Sequence, residues 1–327
     1  MRRYRIEITD SKGNAIVDNT GVAIGPYDSN DNPQGAMHIT FDAYCTTQDV
    51  SNSGTMLAIF GLPLSILSQS VNLWGAKVRL YGGFSGGLPL ENAEQYGLLI
   101  AGNVFNPYGN WQGTHQSLNL ILSPGELLND SGGPFSITMN GKQGEKLSDV
   151  LFRSLSAAFP NRKVRIDISQ NLVLPEPWAD TYTRIGPLAA MLKSNSHFIQ
   201  RDRDYAGVRL VLQQDEVRIY DGTVPGVDTE IKAEELIGQP TWLSTNTISF
   251  KTPMRADITL SDTVTLPINL FSGPESVLSV SSPQAFGAVR NTVNFTGKFL
   301  INSVRHVGAY RDASADAWVT IYEAIAQ

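Results

Sequence analysis

Residues 240–325 alternate between apolar and polar side chains over several short runs. This period of two is typical of β-strands with one buried face. In one such run Ile258, Leu260, Val264 and Leu266 share a face, and a shift of one residue would turn that face to solvent, so the pairing is well specified. The region ends in a predicted hairpin, with strands at 299–307 and 318–325 and a polar turn at 311–316.

A similar hairpin occurs earlier in the chain, where 99–104 runs through a polar loop to 117–121. Val104 and Asn119 are 15 residues apart, and Val304 and Thr320 are 16 apart. Each hairpin closes a β-rich region. Hairpins of unrelated origin often look alike, so chance and an internal duplication both remain open. A duplication predicts two similar β-barrels in one chain.

The first region, 1–134, is β-rich and holds 18 of the chain's 29 glycines. Tyr4, Ile6 and Ile8 point one way along a first strand, and 15–17 is predicted to return as a second strand. Many short strands interrupted by Gly and Pro favour a barrel or a sandwich. Further strands are predicted at 37–45, 77–81, 96–104 and 117–122.

The middle region, 135–235, has α+β character and reads as an insertion, possible as two small subdomains. A helix is predicted at 145–159, ended by Pro160, and a second helix starts near Pro187. Strands are predicted at 135–139, 164–168, 208–212 and 217–220.

Charge and cysteine usage limit the function classes. Charged residues make up only 17% of the chain, below the usual quarter, which favours an oligomer with much of its surface against other protein. The net charge is −6, of which residues 1–135 carry −5, so sequence-specific nucleic-acid binding is not expected. The single cysteine, Cys45, shares the apolar face of Phe41 and is predicted to be a small core residue. Neither a signal peptide nor a membrane-spanning helix is predicted.

Catalytic and metal motifs are weak. The stretch 83–87 matches the G-x-S-x-G pattern of a serine hydrolase, but the parallel sheet and following helix that this motif needs are not predicted. If Ser85 were a nucleophile, His115, His197 or His306 would be its base. The stretch 28–39 opens like a calcium loop but carries Pro33 and Ile39 where glycine and glutamate are required. We therefore predict no catalytic, metal-binding or cofactor-binding residue and no enzyme activity.

Three aromatic residues, Tyr108, Trp111 and Tyr310, lie in or beside the hairpin loops. They favour contacts with a neighbouring subunit, where aromatic residues are enriched. A carbohydrate-binding or receptor-binding module remains a second alternative, in which these side chains would line a sugar site.

Four stretches near the end of the chain resemble the baseplate hub proteins of contractile-tailed bacteriophages. The resemblance is clearest over 236–327, and these stretches are packing and turn patterns rather than catalytic motifs. It rests on 236–242 (LIGQPTW), 248–251 (ISFK), 254–258 (MRADI) and 262–267 (DTVTLP), and on the closing pairs 303–306 (SVRH) and 318–320 (WVT).

The resemblance implies an α+β, predominantly β chain with two tail-tube-like antiparallel β-barrels, at 1–134 and 236–327, and an α+β insertion at 135–235. It implies a homotrimeric ring that adapts a sixfold tail tube to a threefold spike and leaves a channel through which DNA passes without specific binding. The expected partners are the tail tube or distal tail protein, the central spike protein, and other baseplate and tape-measure proteins. The expected location is the virion tail baseplate, assembled in the host cytoplasm, without stable membrane insertion.

Overall fold

The computed structural model describes residues 1–31, 35–47, 55–85, 92–125, 127, 133–202, 205–224, 226–267 and 297–327. The first β region contains β1 (Arg2–Thr9), β2 (Tyr27–Asp28), β3 (Ile39–Cys45), β4 (Thr55–Phe60), β5 (Lys77–Phe84), β6 (Gly97–Gln112) and β7 (His115–Ser123), with the short helix α1 (Leu64–Ser68). The insertion contains β8 (Ile137–Gly141), α2 (Leu147–Ala158), β9 (Lys163–Asp167), β10 (Trp178–Tyr182), α3 (Ile185–Gln200), β11 (Arg209–Gln213) and β12 (Glu216–Tyr220). The last region contains β13 (Asp228–Glu230), β14 (Thr241–Trp242), β15 (Thr247–Pro253), β16 (Thr263–Thr265), β17 (Lys298–Ala309) and β18 (Trp318–Ala326).

The two β regions repeat one strand order. In the first, the neighbours run β3-β4-β7-β6-β5, and in the last they run β14-β15-β18-β17-β16. Each order places a long hairpin in the middle of its sheet. We call the strands β1–β7 the first module and β13–β18 the second module. The shared order supports the duplication that the sequence left open.

The register of the duplication is fixed by a β-bulge in each hairpin. The bulge lies between Val104 and Asn106 in β6 and between Ile301 and Ser303 in β17. Val104 faces Leu122, and Ile301 faces Ala324, so Val104 corresponds to Ile301. The similar sequence spacings of 15 and 16 therefore matched the wrong residues, because the second hairpin is longer (324 − 301 = 23, against 122 − 104 = 18).

The expectation of two separate barrels is not confirmed, because the modules share one sheet. Strand β17 is long enough to pair with β16 through Lys298–Leu300 and with β3 through Val304–Ala309. The ladder therefore runs on from the second module into the first. Among the described residues the 13 strands of this sheet form an open series, β14-β15-β18-β17-β3-β4-β7-β6-β5-β1-β2 with β13 and β16 branching from β17, and no ladder closes a barrel.

Three hydrophobic clusters lie under these elements, one for each region. The first module's cluster collects the inward residues of β1 and β3–β7, and it also takes Met254, Ala256 and Trp318 from the second module. The insertion packs α2 and α3 with its strands around Leu151 and Leu188. The second module's cluster includes Phe250, Phe299 and Tyr322.

Several local expectations are confirmed and others need correction. Helix α2 lies within its predicted range, and α3 begins two residues before Pro187, which still falls in the first turn, where backbone N–H groups have no helical partner. Of the predicted strand at 258–266, only Thr263–Thr265 forms, although all four apolar residues of its face are buried. The cause is a turn: Asp262 accepts bonds from the Thr259 backbone and hydroxyl at 2.8 and 2.7 Å, and Ser261 is left-handed at φ 68°. The predicted return strand at 15–17 is reduced to two isolated bridges.

Candidate functional site

The tip of the second hairpin packs against the first module of the same chain. The ring of Tyr310 lies edge-on to Tyr4 at 4.8 Å and to Trp318 at 6.0 Å between centroids. The Arg2 guanidinium donates to the carbonyl oxygens of Ala309 and Ser314, each at 2.9 Å. Tyr310, predicted as a contact residue for another subunit, is therefore satisfied within its own chain.

The β3–β17 ladder joins the modules and depends on small residues. Gly308 lies opposite Phe41, and a Cβ atom at Gly308 would fall 2.2 Å from the Phe41 ring. Two residues away, Arg305 forms two hydrogen bonds with the carboxylate of Asp42, at 2.8 and 2.6 Å. We call this β3–β17 contact the intrachain junction.

A buried histidine lies in the same ladder. Its Nδ1 is 2.9 Å from the Thr320 hydroxyl, and burial lowers the pKa of His306 to about 3. The imidazole is therefore neutral in the folded protein at ordinary pH. This agrees with the structural role that the sequence favoured for His306.

The first hairpin presents an exposed apolar surface instead. Its outer half carries Phe105, Tyr108 and Trp111, of which Trp111 is 62% exposed. Val71 and Trp74, in the segment packed beside β6, are also exposed, at 69% and 51%. That segment is held by the Gly75 N–H, which donates to the Val104 carbonyl oxygen at 2.8 Å, and by Ser70, which accepts from the Gly109 N–H at 3.2 Å. We call these five side chains the free hairpin surface.

A hollow lies on the sheet face opposite the cores, where the modules meet. It is lined by strands of both modules and has a volume of about 560 Å³. Its charges are Asp42 and Glu323 against Arg305, so the wall is nearly neutral. The lining residues are Asp42, Tyr44, Met56, Ser303, Arg305, Ile321 and Glu323.

The hydrolase elements are not brought together. The Ser85 hydroxyl donates to the Met1 carbonyl oxygen at 3.3 Å, and Ser85 follows a strand of an antiparallel sheet rather than a parallel one. His115 begins β7, His197 lies in α3 and His306 is bonded to Thr320. Within the described residues no hydrogen bond joins Ser85 to any of them. Residues 86–91, the rest of the motif, lie outside the described part.

The calcium-like stretch and the cysteine have structural surroundings. Asp28 accepts from the Asn30 backbone N–H at 2.8 Å, and Ile39 is fully buried in β3, while Asn32 and Pro33 lie outside the described residues. The described part of the chain contains no group of three or more His, Cys, Asp or Glu side chains placed to hold a metal ion. Cys45 is partly buried against the second module's cluster, and burial raises the pKa of its thiol to about 12. None of the described helices has the length and hydropathy required to cross a bilayer.

Sequence reasoning found the aromatic residues of both hairpins but not which hairpin is free. It missed Val71 and Trp74, because an exposed valine or tryptophan has no periodic signal of its own. It also missed Arg2, whose contacts lie more than 300 residues away in the sequence.

The overall fold is that of a tail protein. The structure is similar to a tail protein from Neisseria meningitidis MC58, with a TM-score of 0.51 and 8% identity over 98% of this chain and 96% of that chain. This confirms, at the level of the fold, the resemblance to tail and baseplate proteins seen in the sequence. At such low identity the likeness establishes the fold and not the function.

Two further solved structures are similar at lower scores. One is a type VI secretion component from E. coli, c3393, described as similar to T4 bacteriophage tail proteins gp27 and gp5, with a TM-score of 0.47, 10% identity, and coverage of 90% of this chain and 75% of that chain. The other is the 43 kDa tail protein of prophage MuSo2 from Shewanella oneidensis, with a TM-score of 0.48, 7% identity, and coverage of 100% and 98%. No protein-family model matches the sequence, and no curated protein matches it.

Proposed function

We propose that this chain is a structural hub subunit of a phage tail baseplate or a related injection device, and that it has no catalytic role. The observation that carries the proposal is the repeated strand order of the two modules in one chain. A threefold assembly meets a sixfold partner with equivalent contacts only if each subunit offers two similar patches. Three chains with two modules each would provide six such patches.

The intrachain junction supports this arrangement. It shows how one module's hairpin packs on the neighbouring module, through the β3–β17 ladder and the Tyr310 contact. A ring needs the same kind of contact between chains, from the first module of one chain to the second module of the next. The low charge content of the chain fits large protein interfaces.

The proposed organisation is a first tube-like barrel at 1–134, an α+β insertion at 135–235 and a second tube-like barrel at 236–327. It is supported by the three hydrophobic clusters. Closure of each barrel would be completed in the assembly, where sheets of neighbouring chains meet. One face of the ring would receive the tail tube or distal tail protein, and the other would hold a central spike, beside other baseplate and tape-measure proteins in the virion.

The hollow at the module junction is the candidate channel wall. Its small polar side chains and nearly balanced charges would bind a phosphate backbone weakly, so DNA would pass without stalling. Replacing Asp42 and Glu323 by lysine should slow genome delivery in the assembled particle. Normal delivery by that variant would remove the channel assignment without affecting the ring.

The ring itself is tested by two-dimensional imaging of the purified chain. We expect particles with a central hole and about six lobes. Isolated single-chain particles at all concentrations would contradict the proposal. Esterase activity that is lost in a folded Ser85→Ala variant would contradict the non-catalytic role.

A further inference from the structure

The duplication assigns a counterpart to every residue of the intrachain junction. Since Val104 corresponds to Ile301, Tyr108 corresponds to Arg305, four residues further along each strand. On the other side of the junction, Asp42 pairs with Met56 as Thr241 pairs with Ser249, so Tyr44 corresponds to Leu243, two residues further on. Met56 and Ser249 are themselves equivalent through their pairing with β7 and β18.

Within the chain, Arg305 and Tyr44 face each other across the β3–β17 ladder. Their counterparts Tyr108 and Leu243 are exposed, at 38% and 55%. Among the described strands, the outer half of β6 pairs only with β7, and β14 pairs only with β15. One half of a repeated contact is therefore made inside the chain, and the two surfaces of the other half lie open.

We infer that the free hairpin surface of one chain packs against residues 239–243 of a second copy of the same chain. This inference rests on the proposed ring and names the surfaces that would form it. Tyr108 of one chain lies beside Leu243 of the next, and Trp111 lies beside Pro240. Each chain offers one hairpin and one edge, so the contact is heterologous and closes into a ring when the rotation allows.

The side chains at the two junctions are complementary in size. At the intrachain junction, Gly308 leaves room for the large Phe41 ring. At the counterpart positions the large residue is on the hairpin, Trp111, and the small rigid residue, Pro240, is on the edge. Both contacts therefore pair one bulky ring with one compact residue, with the sides exchanged.

The two junctions differ in their backbone hydrogen bonding. Pro107 and Pro240 have no N–H to donate, and the Gly109 N–H is already bonded to Ser70. The contact between chains consequently depends on aromatic and apolar side chains more than on a long ladder. This fits the exposure of the whole apolar set on this hairpin, while the outer half of the second hairpin is largely buried.

Cysteine cross-linking tests the contact, because Cys45 is the only native cysteine. In a Cys45→Ala background, chains carrying Tyr108→Cys are mixed with chains carrying Leu243→Cys, dissociated, reassembled and oxidised mildly or treated with a short thiol-reactive linker. We expect a covalent dimer from the mixture and neither single variant alone to give one. The double variant in one chain should give covalent dimers and trimers.

The matched control places cysteines at Arg305 and Tyr44. These should close within one chain and leave the denatured mass unchanged, which also reports that the module junction has folded. A ring of normal mass without the Tyr108–Leu243 cross-link, or with that cross-link only inside a chain, would overturn this inference and leave the proposed ring standing. A chain that stays monomeric while the control cross-link forms would overturn both. Glycan binding that Trp111→Ser abolishes without changing the mass would assign this surface to a sugar and overturn the inference as well.

Discussion

The indole Nε1–H of Trp318 donates to the backbone carbonyl oxygen of Gly83 at 2.9 Å, inside the protein and across 235 residues of sequence. Trp318 begins the last strand of the second module, yet its ring packs in the core of the first module, edge-on to Phe41 at 5.3 Å. This bond and the β3–β17 ladder make the modules one packed unit.

We predict that Trp318→Phe lowers the free energy of unfolding by about 1–3 kcal/mol, because the Gly83 carbonyl oxygen loses a buried donor. Chemical denaturation measures the loss. The matched control is Trp111→Phe, whose Nε1–H also donates to a carbonyl oxygen, that of Gly113 at 2.8 Å, but on an exposed residue. The control should change stability by about 0.5 kcal/mol or less in the isolated chain. Equal effects at both sites would contradict the buried link.

A second prediction concerns the space between the strands of the intrachain junction. Gly308→Ala should destabilise the protein by about 1–3 kcal/mol, because the added methyl group would overlap the Phe41 ring. Gly125→Ala is the control, since a Cβ atom there meets its neighbours at 3.8 Å or more. Thermal unfolding of the two variants compares them directly. A Gly308→Ala protein as stable as the control would show that the ladder has room that the structure does not contain.

The buried His306 predicts a pH dependence of stability. Its pKa is about 3 when folded, against an ordinary value of 6.5, so the unfolded chain binds the proton more readily. Stability is therefore complete above pH 6.5 and falls as the pH is lowered toward 3, with a slope of up to about 1.4 kcal/mol per pH unit from this group. Denaturation between pH 6.5 and 5 should show this slope, His306→Gln should flatten it, and His115→Gln on the exposed hairpin should not. An unchanged slope in His306→Gln would contradict the assignment.

Two arginines that form paired hydrogen bonds should differ in their importance. The buried Arg255 donates to Asp257 at 2.7 and 2.6 Å and to Glu235 at 3.1 Å. Its removal leaves these carboxylates without their cation, so Arg255→Ala should cost about 3–5 kcal/mol. Arg305 and Asp42 are nearly half exposed, and Arg305→Ala should cost about 1 kcal/mol or less. Denaturation of both variants decides this, and the reverse order would contradict the burial assigned here.

Local patterns in the sequence predicted the two hairpins, helix α2 and the alternation in β1 and β3, because these elements depend on neighbouring residues. The β3–β17 pairing was not predictable, since its partners are about 260 residues apart and either strand could have been a sheet edge. The turn at Ser261 and Asp262 was hidden inside an alternating run, because side-chain bonds to the backbone overrode the strand pattern. The free hairpin surface was predicted only in part, because Tyr108 and Tyr310 have similar sequence surroundings and opposite environments.

Native mass measurement of the purified chain over a range of concentrations tests the central claim most directly. The account predicts a dominant species near three times 35.6 kDa, which Trp111→Ser shifts toward the single-chain mass while the fold is retained. A chain that remains at 35.6 kDa at every concentration, or that forms only dimers, would contradict a ring built from two repeated modules per chain.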